Sequence, residues 1–272
     1  MNGQMATAGV DLSIPCGPIR PVSLHFTARA RHFGRGGMPR PLGFGRIENI
    51  VGYQTMNLKA GFNMITPTFT DAGTSDGTYD IQKVKISDEA GSYGFGSEQI
   101  QVLGTDGNVS ATYTWFSKDI SGADEDAWCD DSMTPVTYPI TRGEAFLLYT
   151  EAEGLATVSG AVSVGVEQSE AAALLSGFNG IGNASPIETN IQKIKISDEG
   201  GSYGFGSEQI QIVGTDGNVN ATYTWFSKDI SGAEEDAWCD DSLTPVTKTF
   251  KPGEGFLLYT EAEGTVELPT AL

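Results

Sequence analysis

The stretch SEQIQVLGTDGNVSATYTWF, residues 97–116, alternates apolar and polar residues on both sides of a short polar turn. Successive side chains of a strand point to opposite faces, so Ile100 and Val102 would share one face before the turn. Tyr113 and Trp115 would share one face after it. The Asp-Gly dipeptide between the two runs is typical of a tight hairpin turn. The pattern predicts a β-hairpin with one buried face.

Four further segments read as short strands: KVKIS, EAFLLYT, ENIVGYQT and GFNMITPTF. Gly, Thr, Ser and aromatic residues are plentiful, which favours strands joined by tight turns. About six or seven strands would fall within roughly 110 residues, a spacing typical of a β-sandwich or a small barrel. The segment SEAAALLSG favours a helix of two turns, with Ser169 as its N-cap and Gly177 as its end. We therefore expect an all-β chain with one short helix.

The chain contains a long internal repeat. Residues 81–154 and 191–264 align at an offset of 110, with 61 identities in 74 positions. A burst of differences interrupts the match where YPITR, residues 138–142, becomes KTFKP, residues 248–252, so we expect this segment to face different neighbours in the two copies. The predicted organisation is an irregular arm (1–46) followed by two tandem β-sandwich or small-barrel domains (47–158 and 159–272).

Charge is distributed unevenly along the chain. Residues 1–46 contain six Arg and one Asp, a balance of +5, so the net charge of −19 leaves −24 on the remaining 226 residues. Such an acidic body repels phosphates, which argues against nucleic acid or an anionic membrane as its partner. The sequence has no run of 18 apolar residues, so we expect no membrane insertion. The arm is expected to bind a polyanion, and another copy of this chain is one.

The motifs ENIVGYQTMNLKAGFNMITPTF, TYTWF…AWCDD and GEGFLLYTEAEGTVEL resemble those of a group of secreted, β-rich bacterial repeat proteins of uncharacterised function. The resemblance covers residues 47–272 and rests on turns and strands. It implies export, hence an extracellular or cell-surface location, and no known activity. Residues 1–46 depart from the pattern, because they lack the charged start, apolar core and cleavage site of a secretory signal.

An acidic loop, DISGADEDAWCDDS, occurs in both repeats with one Asp-to-Glu change. Calcium binds about six to eight oxygen ligands without strict geometry, so the loop is a candidate calcium site, and a solvated acidic loop is the alternative. The EF-hand pattern is absent. The candidate ligands are Asp124, Asp126, Asp130 and Asp131 in the first repeat, and Glu234, Asp236, Asp240 and Asp241 in the second.

Aromatic residues provide the candidates for a ligand or an interface. Trp128 and Trp238 lie in the polar acidic loops, where an exposed indole could stack on a sugar ring or anchor a subunit contact. Tyr93 and Tyr203 lie in the glycine-rich stretch GSYGFGSE, whose spacing does not fit a dinucleotide-binding loop and which we interpret as a turn. The choice between sugar and interface stays open from the sequence.

Cysteine usage does not predict a disulfide framework, because the chain has three cysteines. Cys129 and Cys239 occupy the same repeat position, so each is either a small, partly buried thiol or else an intersubunit bridge or a reactive thiol. The arm RARHFGRGGMPRPLGFGR is too rich in Gly, Pro and Arg to build a core by itself, so it is either disordered or orders on the acidic face of a neighbouring chain. Its candidate assembly residues are Arg29, Arg31, Arg35, Arg40 and Arg46.

Neither repeat contains histidine, since His25 and His32 both lie in the arm, so triad or histidine-metal catalysis within a repeat is excluded. No catalytic residue or required cofactor is predicted. Two near-identical blocks suit a protein whose surface is its product, because repetition raises effective concentration. We expect a non-enzymatic structural protein that assembles into a fibre or layer through its arm; the alternative is a carbohydrate-binding or adhesive envelope module.

Overall fold

The structure is a computed structural model that describes residues 51–69, 78–88, 94–161, 169–198 and 204–269. Almost all of the regular structure is β-strand, as the alternating pattern predicts. The strands of the first repeat are β1 (Val51–Leu58), β2 (Gly61–Ile65), β3 (Thr78–Asp80), β4 (Lys85–Asp88), β5 (Phe95–Leu103), β6 (Val109–Phe116), β7 (Ala127–Cys129), β8 (Pro139–Thr141), β9 (Phe146–Thr150) and β10 (Gly154–Ala161). Its helical turns are a 3-10 turn (Ile81–Lys83) and α1 (Lys118–Ser121).

The second repeat follows the same plan. Its strands are β11 (Ser169–Leu174), β12 (Gly177–Gly182), β13 (Thr189–Asn190), β14 (Lys195–Asp198), β15 (Phe205–Val213), β16 (Val219–Phe226), β17 (Ala237–Cys239), β18 (Thr249–Phe250), β19 (Gly255–Thr260) and β20 (Gly264–Pro269). Its helical turns are a 3-10 turn (Ile191–Lys193) and α2 (Lys228–Ser231). The described part of each repeat therefore has ten strands, more than the six or seven predicted, because strands of two or three residues are too short to show alternation.

Each repeat is a β-sandwich of a three-stranded and a five-stranded sheet, with a two-stranded sheet at its side. The first repeat has strand orders β1-β10-β4, β2-β9-β5-β6-β7 and β3-β8, and the second repeats them as β11-β20-β14, β12-β19-β15-β16-β17 and β13-β18. The sheets stay separate in the described ranges, so the sandwich is confirmed over the small barrel. The predicted hairpin is β5–β6, in which Ile100 lies opposite Tyr113.

The core of each sandwich comes from the predicted alternation. Ile100, Val102 and Trp115 are buried in the first repeat, and Ile210 and Trp225 are buried in the second. The inward faces of both sheets meet in one cluster per repeat. Burying an aliphatic or aromatic side chain stabilises the fold by about 1.5–3 kcal/mol, so these clusters account for most of the stability of each sandwich.

The helix predicted over SEAAALLSG is wrong. Residues Ser169–Leu174 form β11, which pairs with β20 along its whole length, and Leu174 is buried. A helix this short is not stable by itself, since helices below about 12–15 residues are marginal in water. Strand pairing within the second sandwich therefore overrides the helical preference of alanine.

The predicted domain boundary falls inside a strand. β10 continues to Ala161 and pairs with β1 from Val51↔Ala161 to Leu58↔Gly154, so the first sandwich extends beyond residue 158. The second sandwich begins with β11 at Ser169. The connection between them thus falls within residues 162–168, which lie outside the described ranges.

The two sandwiches contact each other through equivalent elements. Phe62 N–H donates to Thr215 O at 2.9 Å, and Phe178 N–H donates to Thr105 O at 2.8 Å, so β2 meets the β15–β16 turn while β12 meets the β5–β6 turn. A small apolar cluster fills the centre of the contact. Its buried members are Met64, Ala145, Leu147 and Leu257, and its half-buried members are Phe62, Leu103, Phe178 and Val213. The two sandwiches therefore pack against each other as a pseudo-two-fold pair.

The turns that follow the two divergent segments lie at this contact, since Gly182 N–H donates to Gly143 O at 2.9 Å and Thr66 N–H donates to Gly253 O at 3.0 Å. The two turns have different surroundings: a Cβ added at Gly143 would contact Leu268, whereas a Cβ added at Gly253 would contact Met56 and Gln54. Within the segments themselves, β8 and β18 pair with the equivalent strands β3 and β13, so the expectation that 138–142 and 248–252 face different neighbours stays a prediction. No helix in the described ranges is long and apolar enough to span a membrane.

Candidate functional site

The two loop tryptophans are core residues. Trp128 and Trp238 each have 0% relative exposure, although both sit in acidic sequence. Their Nε1–H groups donate at 2.9 Å to Val84 O and to Ile194 O. The Trp128 ring also packs at 5.0 Å against Trp115. Their assignment as exposed sugar platforms or interface anchors is therefore wrong, because no face of either indole reaches the surface.

A glutamine from the 3-10 turn holds each tryptophan strand in place. Gln82 Nε2 donates to the carbonyl oxygens of Trp128 at 2.6 Å and Val136 at 2.5 Å, and Trp128 N–H donates to Gln82 Oε1 at 3.1 Å. Gln192 makes the same three bonds in the second repeat. One glutamine side chain thus pairs with backbone groups at the edge of β7 or β17 as a further strand would. The sequence pattern did not predict this role.

Half of the candidate calcium ligands support the local backbone. Asp126 Oδ1 accepts from Lys118 N–H at 3.0 Å and caps α1, and Asp236 does the same for Lys228. Asp130 Oδ1 accepts from the N–H groups of Ser132 and Thr134 at 2.9 and 3.0 Å. Asp240 makes the equivalent two bonds. Asp and Asn are favoured in turns for this reason, since the side chain supplies the acceptor that the backbone lacks.

The remaining candidate ligands, Asp124, Asp131, Glu234 and Asp241, lie exposed on the loops. Within the described residues there is no group of three or more His, Cys, Asp or Glu side chains placed to hold a metal ion. The acidic loops therefore offer charge to the solvent and backbone support to the turns, and the structure assembles no calcium ligand set from them.

The two cysteines within the described ranges are buried and free. Cys129 and Cys239 each have 0% exposure, and each Sγ lies 3.6 Å from the carbonyl oxygen of Ala127 or Ala237. Burial, and next the neighbouring charge of Asp130 or Asp240, raises the pKa of each thiol above its ordinary value of 9.0. Assigning them as intersubunit thiols is wrong, because neither sulfur reaches the surface of its sandwich.

A shallow cleft lies beside the acidic loop in each repeat. The first cleft, of about 510 Å³, is lined by Lys85 and by the loop acids Asp124, Glu125 and Asp126. The second, of about 430 Å³, is lined by the equivalent residues Lys195, Glu234, Glu235 and Asp236. Lys85 Nζ lies 5.3 Å from the centroid of the Trp115 ring and 3.8 Å from Glu125 Oε2. The ammonium is thus held between an aromatic ring and a carboxylate, so the cleft wall carries both signs of charge.

A glutamate occupies a core position in both repeats. Glu98 and Glu208 have 0% exposure and stand in the inward register of β5 and β15. Ser97 Oγ donates to Glu98 at 2.7 Å and Gly94 N–H donates to it at 3.3 Å. In the alternating stretch SEQIQV, residue 98 lies two positions before Ile100 and therefore faces the same side of the strand. This period of two residues could have predicted that the acid is buried.

Exposed apolar side chains recur at equivalent positions in the two repeats. Phe95 and Phe205 are 70% and 69% exposed, and Met133 and Leu243 are 49% and 40% exposed. Met133 and Leu243 are also the described non-glycine residues with positive φ, at 58° and 61°. Each chain therefore presents these two apolar positions twice.

The other candidate residues lie outside the described residues. They are Tyr93 and Tyr203 in the glycine-rich stretch, and Arg29, Arg31, Arg35, Arg40 and Arg46 in the arm.

Three comparisons, with protein-family models, with curated protein sequences and with solved structures, found no match to this chain.

Proposed function

We propose that this is a non-enzymatic structural protein of the extracellular space or cell surface, whose chains assemble into a fibre or layer through the N-terminal arm. The observation that carries the proposal is the separation of charge: +5 on residues 1–46 and −24 on the rest of a chain whose net charge is −19. Opposite charges on two parts of one chain attract the arm of one copy to the body of the next.

The folded body supports this proposal in two ways. Its sandwiches pack as one pseudo-two-fold pair, so a chain is a single building block that presents equivalent surfaces twice. Acidic loops on both repeats leave their carboxylates exposed, including Asp124 and Asp131 in the first repeat and Asp241 in the second. Charge of this kind attracts cationic segments without needing a pocket.

The test is negative-stain electron microscopy of the full-length chain beside a chain that begins at Ile47, each at about 0.05 and about 0.5 M salt, because added salt shortens the range of charge attraction. We expect ordered filaments or sheets from the full-length chain alone, and fewer of them at the higher salt. Isolated two-lobed particles from both chains under all conditions would refute arm-mediated assembly.

Carbohydrate binding is a second candidate, and one observation favours it: the clefts of about 510 and 430 Å³ occur at equivalent places in the two repeats. A sugar ring cannot stack on Trp128 or Trp238, because both indoles are buried. A glycan would instead meet Lys85 and the loop acids. Titration of soluble oligosaccharides against the chain and a Lys85→Ala, Lys195→Ala variant tests this, and the candidate fails if no glycan binds or if both chains bind equally.

A further inference from the structure

The first strand of the structure has a free edge. β1 pairs with β10 over all eight of its residues, and no other strand in the described ranges pairs with its opposite side. Natural proteins protect such edges with charged side chains, proline or short length. The β1 sequence, VGYQTMNL, has no charged residue and no proline. Tyr53 is 65% exposed beside this edge.

The matching edge of the second repeat is different. β11 has six residues, against eight in β1, and includes Glu170. A charge and a shorter ladder both weaken pairing with an added strand. Of the two equivalent edges, β1 is therefore the better acceptor for an added strand.

The arm contains a segment with the periodicity of a half-buried strand. Residues 22–31 read VSLHFTARAR, with apolar residues at every second position. Such strict alternation over this length is typical of a strand that has one face against a core. The apolar positions are Val22, Leu24, Phe26, Ala28 and Ala30, and the polar positions are Ser23, His25, Thr27, Arg29 and Arg31.

The spacer between this segment and β1 favours a partner in another chain. Residues 32–50 include Pro39 and Pro41, and proline disfavours the interior of a helix and favours extended backbone in the residue before it. Nineteen residues at about 3.1 Å each reach about 60 Å. A hairpin that returned the segment to its own β1 would commonly use about two to five residues. The spacer is therefore suited to reaching a neighbouring body.

Charge complementarity points to the same partner. The arm carries +5 and the body of another copy carries −24. β1 itself is neutral and does not repel the segment, and Glu151 and Glu153 lie in the turn between β9 and β10, near the Leu58 end of this edge. Main-chain hydrogen bonds would provide the affinity of such a contact, and the alternating side chains would set its register.

We propose that residues 22–31 of one chain add as a fourth strand to the free edge of β1 in a second copy of the chain. The resulting sheet has the order arm-β1-β10-β4. The inference rests on the proposed function and names its docking surface. Each chain then carries one donor segment and one acceptor edge, so contacts repeat from copy to copy and build a filament.

The first experiment breaks the donor without touching the folded body. Full-length chains with Leu24→Pro and Phe26→Pro are compared by sedimentation velocity with wild type and with a matched Gly43→Pro, Gly45→Pro control in the spacer. Proline removes backbone donors, so we expect the segment variant to need at least about tenfold more protein for half-assembly. The control is expected to assemble like wild type.

The outcomes separate this inference from the proposed function. Assembly that persists in the Leu24→Pro, Phe26→Pro variant overturns the strand addition and leaves arm-mediated assembly standing. Failure of wild type to assemble overturns the proposed function and this inference together. Equal loss in the spacer control also overturns the inference, because the effect would then not depend on segment 22–31.

A second experiment identifies the acceptor edge. One chain carries Thr27→Cys and a second, larger tagged chain carries Thr55→Cys, both with Cys16→Ser, and oxidation of the mixture is followed on non-reducing gels. We expect a mixed disulfide-linked dimer. Ala171→Cys on β11, which holds the register position of Thr55, replaces Thr55→Cys in the matched control and is expected to give much less. Preferential capture at Ala171→Cys, or an intrachain disulfide in a dilute chain carrying both Thr27→Cys and Thr55→Cys, overturns the assignment.

Discussion

Gly61 provides the sharpest test of the contact between the two sandwiches. It has φ +97°, and a Cβ added there would lie 2.1 Å from the carbonyl oxygen of Thr215 in the other repeat. Phe62, the next residue, donates its N–H to that same oxygen at 2.9 Å. Gly61→Ala must therefore both strain the backbone and separate β2 from the β15–β16 turn.

The expected cost has two parts. A non-glycine residue at this φ costs about 1–3 kcal/mol. Loss of the Phe62 hydrogen bond adds about 0.5–1.5 kcal/mol, and partial opening of the apolar contact adds about 1 kcal/mol more. Gly61→Ala should thus lower the free energy of unfolding by about 3–5 kcal/mol in total.

Gly122 is the matched control. Its φ is +71°, and a Cβ added there would have no atom within 4 Å. Gly122→Ala therefore adds only a left-handed alanine, at about 1–2 kcal/mol. The difference between the two variants isolates the contact between the repeats.

The assay is urea unfolding followed by tryptophan fluorescence, since all four indoles are almost fully buried in the native chain. Gly61→Ala, Gly177→Ala, Gly122→Ala and the double variant at 61 and 177 are compared. We expect the double variant to lose less than the sum of its parts, because both glycines serve one interface and it opens only once. Equal losses from Gly61→Ala and Gly122→Ala would refute the described contact.

Three further predictions follow from the individual repeats. Gln82→Ala should lower the free energy of unfolding by about 2–4 kcal/mol, because the Trp128 N–H and the Val136 carbonyl oxygen lose their bonds to Gln82 and Trp128 O keeps only its bond from Val136 N–H. Gln192→Ala should match it in the same urea assay, and a loss below about 0.5 kcal/mol would contradict the bracing role. Met133→Asn should raise stability by about 0.5–1 kcal/mol, since asparagine tolerates the left-handed region better than methionine, and Leu243→Asn checks the result independently. Burial raises the pKa of the Cys129 and Cys239 thiols above 9.0, so these thiols ionise earlier in the unfolded chain. Their contribution to stability is complete below pH 9.0 and decreases as pH rises through the folded values. Unfolding at pH 7 to 10.5 should show this decrease, and it should be smaller in a Cys129→Ala, Cys239→Ala variant; identical pH profiles would contradict it.

Part of the candidate site could be predicted from the sequence. The two acidic loops and their exposed carboxylates follow from composition, because charged residues rarely lie inside a protein unpaired. The burial of Trp128 could not be predicted, since its strand, Ala127–Cys129, has three residues and is flanked by Asp126 and Asp130. Its partner Val84 lies 44 residues away, so nothing in the local pattern shows that the indole is covered.

The amino-acid sequence by itself determined the strand periodicity, the β5–β6 hairpin, the duplication and the division between a basic arm and an acidic body. These are properties of neighbouring residues or of composition. Only the tertiary structure decided that Ser169–Leu174 is a strand, that Trp128 and Trp238 are buried, and that Gly61 and Gly177 join the repeats. Each of these depends on atoms contributed by distant parts of the chain, because burial and strand pairing are set by the partner that folding brings into contact.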